Sequence, residues 1–263
     1  MSFLSPSSPR IDLGIDLTPL SRLRDRRLPG NGPDQNALAL IAQDAGADVM
    51  LLDLSDYFAG TEHANNLSQA AEIVRSLHKQ LAIGVELTLP LSQAALEFAL
   101  QTAPSAVRFI VSREGEADPI QTENQNQVLT QQHLARLRGA RICAIVLAQP
   151  SLDHIRAAQR CGAQNVEISA VDYVTAPSAV LKSAALHALD RATQEAVRCG
   201  LRVQVAGGLD HRNISAIAAI DGIRQINVGY AVAVRALTVG WQHAVSELQS
   251  AIAAPSMYKT EAP

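Results

Sequence analysis

Short apolar runs alternate with helical patterns along the chain, and this alternation restricts the fold more than any other feature of the sequence. We predict eight strands, at residues 11–17, 49–54, 81–87, 107–111, 141–147, 165–169, 201–205 and 223–228. Strands that alternate with helices at this spacing indicate a parallel sheet. Eight such units in 263 residues, with no break in composition between them, favour a single α/β domain, a closed (β/α)8 barrel.

The helical patterns fall between the strands and define the expected limits of the barrel. Helices are predicted near residues 37–44, 68–79, 91–101, 128–137, 152–161, 178–199 and 213–219, with another after Gly229. Asp34 is placed to cap the first of them. We expect one barrel over residues 11–253, a flexible N-terminal segment 1–10, a mobile loop at 113–126 and a flexible tail 254–263.

Composition excludes several classes of partner. The net charge is −3 without a basic block, and aromatic residues make up only 3% of the chain, so nucleic acid is not expected as a partner. No apolar run reaches membrane-spanning length, and the first ten residues lack a signal-peptide core. The three cysteines are scattered, and no histidines have metal-binding spacing. We therefore expect a cytoplasmic protein without a metal.

Chemistry in a (β/α)8 barrel takes place where the strands end, so polar residues at those positions are the candidates. They are Asp16, Asp53, Asp56, Glu86, Glu167 and Gln204. A carboxylate in the barrel mouth is partly desolvated, which raises its pKa toward a range useful for proton transfer. Such a carboxylate can equally pair with an arginine or cap a loop, and for Asp53 both interpretations stay open.

Two glycine turns in the last quarter of the chain predict a phosphate site. Gly207 and Gly208 follow the seventh strand, and Gly229 follows the eighth. Backbone amides at such turns, with a helix N-terminus behind them, can bind phosphate. Three arginines after the first strand, at 24, 26 and 27, can clamp a phosphate or form a solvated loop. His63 and His211 follow strands two and seven and can reach the mouth, although His211 can equally lie in a helical turn.

The chain resembles the pyridoxine 5′-phosphate synthase (PdxJ) family along nearly its whole length. The segments that carry the resemblance are QNALALIAQ with AGADVMLLDL, the VEIS-x-x-x-Y of strand six, and NISAIAAIDGIRQINVGYAVAVRALTVGWQHAVSEL. The resemblance implies a (β/α)8 barrel with a few extra helices that assembles as an octamer. It also implies condensation of 1-deoxy-D-xylulose 5-phosphate with 3-amino-2-oxopropyl phosphate, without a metal or organic cofactor.

The family's functional residues carry over only in part. Its two glutamates match Glu86 and Glu167, its phosphate arginine matches Arg27, and its phosphate glycines match Gly208 and Gly229. The family's other polar positions are replaced here: an asparagine by Gly14, an arginine by Ser55, and histidines by Leu17, Asp53, Gly60, Gly207 and Tyr230. We take Glu86, Glu167 and Asp53 as catalytic candidates. The candidates for substrate and phosphate binding are Arg27, Gly207, Gly208, Gly229 and Tyr230.

The loss of five histidines leaves three hypotheses open. Ring closure to a pyridine needs groups that titrate near neutrality, for which histidine is the usual choice. The chain is therefore a synthase with rearranged acid/base groups, or a diverged enzyme acting on a phosphorylated small molecule, or a non-catalytic barrel that binds a phosphometabolite.

Overall fold

Eight parallel strands close into one barrel, which confirms the predicted fold. The computed structural model describes residues 10–23, 32–58, 63–110 and 124–254, with only the backbone at 63–65 and 124–128. The strands are β1 (Asp12–Asp16), β2 (Val49–Asp53), β3 (Gly84–Pro90), β4 (Ala106–Ile110), β5 (Cys143–Ala148), β6 (Asn165–Ser169), β7 (Arg202–Ala206) and β8 (Ile223–Val228). Each pairs with its sequence neighbour, and β8 pairs with β1 to close the barrel.

Helices follow the strands and cover the outside of the barrel. They are α1 (Thr18–Ser21), α2 (Gln35–Asp44), α3 (His63–Gln80), α4 (Gln93–Thr102), α5 (Asn124–Gly139), α6 (Leu152–Arg160), α7 (Val171–Thr175), α8 (Ala179–Arg198), α9 (Ile214–Ala218), α10 (Tyr230–Val239) and α11 (Trp241–Ala253). Asp34 caps α2 as predicted, since its carboxylate accepts from the amides of Asn36 and Ala37. The short α1 and α7 were not predicted, because four or five residues are too few to show helical periodicity.

The third strand lies three residues further along the chain than its apolar run predicts. Leu81 directly follows α3, and its amide donates to the carbonyl of Leu77 at 2.9 Å. The strand begins only at Gly84, and the register pairs Glu86 with Ala106 of β4. The prediction that Glu86 ends the third strand was therefore wrong: it is the third of seven strand residues and lies inside the barrel.

The two faces of the barrel sheet differ in chemistry. Val85 and Leu87, on either side of Glu86, are both fully buried in the apolar core, and successive side chains of a strand alternate between faces. The buried polar residues on the strands are Glu86, Arg108, Asn165, Gln204, Gln225 and Asn227. The barrel therefore combines an apolar layer beneath the helices with a polar interior.

On the outside, helices α10 and α11 are joined by an ion pair. Arg235 donates to both carboxylate oxygens of Glu247, each at 2.8 Å. These hydrogen bonds lower the pKa of Glu247 to about 2. Among the described helices, none combines the length and the apolar character needed to cross a membrane. The N-terminal segment 1–9, most of the loop at 113–126 and the tail from 255 lie outside the described residues.

Candidate active site

An arginine from β4 occupies the centre of the barrel and joins both candidate glutamates. Arg108 Nη2 donates to Glu86 Oε2 at 3.0 Å and to Glu167 Oε2 at 2.8 Å. Its third contact is Gln204 Oε1, at 3.3 Å. We call the set the arginine cluster, and its members are Glu86, Arg108, Glu167, Gln204, Gln225 and Asn227.

Arg108 was not among the predicted site residues, although the sequence contained a signal. It stands in the apolar strand AVRFI and is only 4% exposed. Arginine is almost never fully buried unless it is paired. An arginine within a strand that is buried on both faces therefore predicts an acidic partner inside the barrel, but the sequence does not identify that partner.

Both carboxylate oxygens of Glu86 accept hydrogen bonds from side chains inside the barrel. Oε1 accepts from the side-chain amides of Gln204 and Gln225, at 3.2 and 3.1 Å, while Oε2 accepts from Arg108. Burial raises the pKa of Glu86, while the positive charge of Arg108 and the amide donors act against this rise. In these contacts Glu86 therefore acts only as an acceptor, since each of its described partners donates.

Glu167 lies in β6 as predicted, but only one of its oxygens is engaged. Oε2 accepts from Arg108 and from Asn227 Nδ2, the latter at 2.6 Å. Oε1 accepts no hydrogen bond from the described residues, and the Glu167 side chain is 12% exposed, compared with 6% for Glu86. The side chain of Glu167 is therefore more accessible to solvent than that of Glu86.

Gly14 provides the space in which Asn227 reaches Glu167. The two residues are partners in the β1–β8 register. A Cβ added at Gly14 would stand 2.1 Å from Asn227 Oδ1, which is far inside van der Waals contact. The absence of a side chain at Gly14 thus allows Asn227 of β8 to occupy this part of the barrel and to contact Glu167.

Asp16 and Asp53 end β1 and β2 in two turns of similar sequence, Asp-Leu-Thr and Asp-Leu-Ser. In each turn the aspartate Oδ1 accepts from the amide and the hydroxyl of the residue two positions on, Thr18 or Ser55. The Thr18 hydroxyl also accepts from the Asp53 amide at 2.8 Å, so the turns are connected. We call them the aspartate turns. Burial raises the pKa of Asp16, against the opposing hydrogen bonds from Thr18. Asp53 therefore caps its loop, the structural alternative left open by the sequence.

The glycine turn after β7 is shaped by packing against α7. Gly207 and Gly208 have φ of 109° and 70°, which favours glycine. An added Cβ would lie 2.9 Å from Val171 at the first and 3.0 Å from Val174 at the second. The helix predicted at 213–219 is confirmed as α9, which has five residues, and Asp210 accepts from two amides ahead of it.

In the turn after β8, Gly229 directly precedes the ten-residue helix α10. Gly229 is the N-cap residue of α10, so it has no side chain to cap the first-turn amides. An added Cβ there would stand 3.1 Å from Asp16. Tyr230, the first residue of α10, is 77% exposed. The carboxyl end of β8 therefore combines an uncapped helix N-terminus with an adjacent carboxylate.

The remaining candidates are placed as follows. Arg27 and Gly60 lie outside the described residues. His63 is the first residue of α3, a helix that begins earlier than predicted, and His211 lies in the turn before α9. Leu17 is fully buried in the apolar core. Within the described ranges, no group of three histidine, cysteine or acidic residues is placed to hold a metal ion.

Comparisons with known proteins relate the chain to one family. The model of the family described as pyridoxal phosphate biosynthesis protein PdxJ matches residues 13–254. The pyridoxine 5′-phosphate synthase of Synechococcus sp. (strain JA-2-3B'a(2-13)) is 30% identical over 247 residues, which cover 92% of this chain and 98% of the relative. That of Synechococcus sp. (strain RCC307) is 29% identical and covers 92% and 93%.

Among solved structures, the barrel is similar to that of phosphoribosyl anthranilate isomerase from Thermus thermophilus. The TM-score is 0.56 at 14% identity, over 93% of this chain and 99% of the other. This likeness concerns the fold alone.

Proposed function

The chain belongs to the PdxJ family of pyridoxal phosphate biosynthesis proteins, and from this we propose that it is a pyridoxine 5′-phosphate synthase-like enzyme. The proposed reaction condenses 1-deoxy-D-xylulose 5-phosphate with 3-amino-2-oxopropyl phosphate. One carbon–nitrogen and one carbon–carbon link close the ring, and one phosphate and two waters leave. Each step moves protons, so the site must supply groups that accept and donate them.

One observation carries this proposal: the two glutamates that match the family's pair meet inside the barrel at Arg108. They come from β3 and β6, and their contacts with Nη2 are 3.0 and 2.8 Å. A carboxylate with an oxygen that no neighbouring side chain engages can abstract a proton from carbon or nitrogen of a bound substrate. Glu167 Oε1 has no hydrogen-bond partner among the described residues, and Asp16 and Asp53 lie at the ends of neighbouring strands.

Substrate phosphate is proposed to bind at the N-terminus of α10. The first amides of a helix carry partial positive charge and have no partners within the helix. Gly229 leaves these amides uncapped, and β8 is one of the two strands whose loops bind phosphate in many barrels of this fold.

A second candidate is a diverged enzyme, or a binding barrel, for a phosphorylated small molecule. The specific observation in its favour is the replacement of the family's histidines by Leu17, Gly207 and Tyr230, because these positions then lack a group that titrates near neutrality. If this second candidate is correct, the protein still binds a phosphorylated small molecule but does not catalyse the condensation.

An assay of the purified protein with both substrates distinguishes the two candidate functions. Formation of pyridoxine 5′-phosphate, and rescue of a pyridoxine-requiring strain that lacks its own synthase, would support the first. Tight binding of one phosphorylated substrate without product would support the second. Absence of both product and binding would contradict both proposals.

Replacing Tyr230 by glutamate tests the phosphate site. The exposed side chain can change without disturbing the core, and a carboxylate at the first position of α10 repels a phosphate there. We expect affinity for either substrate to fall by about three- to tenfold, measured by calorimetric titration. Leu237→Glu, with an 81% exposed residue further along the same helix, is the control and should change little. Equal effects of the two variants would argue against this site.

A further inference from the structure

We propose that Arg108 is itself a catalytic residue, whose Nη1 donates a hydrogen bond to the ketone oxygen of a bound substrate. The proposal rests on the proposed function, because both substrates named there carry a ketone. It adds to the two glutamates, which move protons, a cation that stabilises the negative charge formed when a proton is removed. Three features of Arg108 support this role: its unused donors, its position in the barrel and its permanent charge.

The guanidinium of Arg108 fully uses only one of its nitrogens. Nη2 donates to Glu86, Glu167 and Gln204. Within the described residues Nη1 reaches only the Thr88 hydroxyl, at 3.4 Å, which is beyond the usual length of an N–H···O bond. Nε is buried and has no partner there. A buried donor without a good acceptor is unfavourable, so a substrate oxygen that comes closer to Nη1 than Thr88 would be bound favourably.

Arg108 lies directly below the accessible part of the barrel interior. Its register partner on β3 is Thr88, and paired residues of neighbouring barrel strands face the same side. On β3 the interior side chains change from buried at Glu86 to half-buried at Thr88. On β4 they change from buried at Arg108 to half-buried at Ile110. Nη1, which is directed toward Thr88, therefore borders the space that a ligand enters from the carboxyl ends of the strands.

The charge of Arg108 suits it to bind an oxygen and not to transfer a proton. A guanidinium stays protonated in proteins and can only donate hydrogen bonds. Its donors are therefore in place before any negative charge develops on a substrate. A donor that is already oriented toward such a charge lowers the barrier, because nothing has to reorder during the reaction.

The neighbouring carboxylates supply the base for the same step. One of them removes the proton from the carbon beside the ketone, and the proton ends on Glu86 or Glu167. The C–H electron pair becomes the C=C bond of an enolate, and the C=O π pair moves to the oxygen that accepts from Nη1. Base and donor lie in one cluster, with contacts of 3.0 and 2.8 Å to the guanidinium, so they can act on neighbouring atoms of one ketone.

The carbonyl stretching band of a bound ketone tests the contact without turnover. 1-Deoxy-D-xylulose 5-phosphate, labelled with ¹³C at the ketone carbon, is added alone to the full-length protein, and isotope-edited infrared difference spectra are recorded. A hydrogen bond from a guanidinium weakens the C=O bond, so the band of the bound ketone is expected at lower frequency than that of the free substrate. An unshifted band, or no bound ketone at all, would overturn the inference.

Two variants at Arg108 assign this shift. Arg108→Met removes the cation and is expected to return the band to the position of the free substrate. Arg108→Lys keeps the charge between the glutamates, which preserves the fold, but lacks the planar row of donors, so the band should return most of the way. Both variants should lower kcat by about 10²–10³-fold, the usual effect of removing a donor to an oxyanion. A band that stays at the parent position in either folded variant would contradict the proposal.

Glu167→Gln and Arg235→Met are the controls. Glu167→Gln is expected to lower kcat by about 10²–10⁴-fold, while the carbonyl band keeps its shift because Glu86 still contacts Arg108. Arg235→Met, in the surface pair with Glu247, should change neither quantity. If the band returns in Glu167→Gln as far as in the Arg108 variants, Arg108 acts only through that carboxylate and the inference is wrong.

Product formation and the carbonyl band separate the two proposals. A shifted band that depends on Arg108, in a protein that forms no pyridoxine 5′-phosphate, would support the contact and contradict the condensation. Product formation with a band that does not depend on Arg108 would support the condensation and overturn the role of Arg108.

Discussion

The arginine cluster and the aspartate turns both place carboxylates inside or at the end of the barrel, but they hold them in opposite ways. In the aspartate turns each carboxylate bonds to a residue two positions along the chain. In the arginine cluster the partners of Arg108 are 22, 59 and 96 residues away. The turns therefore form wherever the local sequence allows, whereas the cluster exists only in the closed barrel.

The comparison also shows which of these carboxylates keeps an oxygen that can contact a ligand. Asp53 gives one oxygen to both groups of Ser55, which fixes the loop after β2. Glu167 is fixed by distant strands and keeps one oxygen open. A carboxylate that is held by distant strands can be precisely placed and still face a ligand. A carboxylate that caps a loop uses its hydrogen bonds to hold that loop.

The largest expected effect comes from removing the charge at the centre of the cluster. Arg108→Met leaves two carboxylates without their cation, and breaking a buried ion pair in this way typically costs about 3–5 kcal/mol. Urea unfolding followed by circular dichroism measures the loss. Arg235→Met is the matched control, since its two bonds to Glu247 are 2.8 Å long but lie at the surface. A loss below about 1 kcal/mol for Arg108→Met would remove the contrast between the two regions.

An intermediate effect is expected at Gly14. Its added methyl in Gly14→Ala would displace the Asn227 amide, and overpacking of this kind costs about 1–3 kcal/mol. Since Asn227→Ala removes the displaced group, the double variant should be more stable than the sum of the single changes predicts. Gly139→Ala, where an added Cβ meets nothing within 4 Å, is the control. Strict additivity in the urea-unfolding cycle would contradict the proposed coupling of β1 with β8.

The smallest effect is expected in the aspartate turns. Thr18→Val keeps the shape but removes the hydroxyl between Asp16 and the Asp53 amide. Loss of such a hydrogen bond typically costs about 1 kcal/mol. Thr175→Val removes a hydroxyl that donates to the Val171 carbonyl at an exposed part of α7, and it should cost less. A cost for Thr18→Val as large as that of Arg108→Met would mean that the two regions do not differ in the way described.

The sequence alone determined the number of strands, their order and most of their limits. Apolar periodicity is a local property, and a chain that repeats strand and helix eight times has few ways to bury its apolar faces other than a closed barrel. Glu167 and Gln204 could also be placed on strands six and seven, because both runs begin and end where predicted to within one residue. The third strand was misplaced because the apolar Leu81 suits a helix end as well as a strand.

Only the tertiary structure decided which polar groups meet. Nothing within β4 reveals that Arg108 contacts both Glu86 and Glu167, because those contacts depend on the closure and the register of strands far apart in the chain. The same is true of Gly14, whose missing side chain matters only because Asn227 of β8 fills the space beside it. Periodicity fixes which face a side chain occupies, whereas its partner across the barrel depends on distances that exist only after folding.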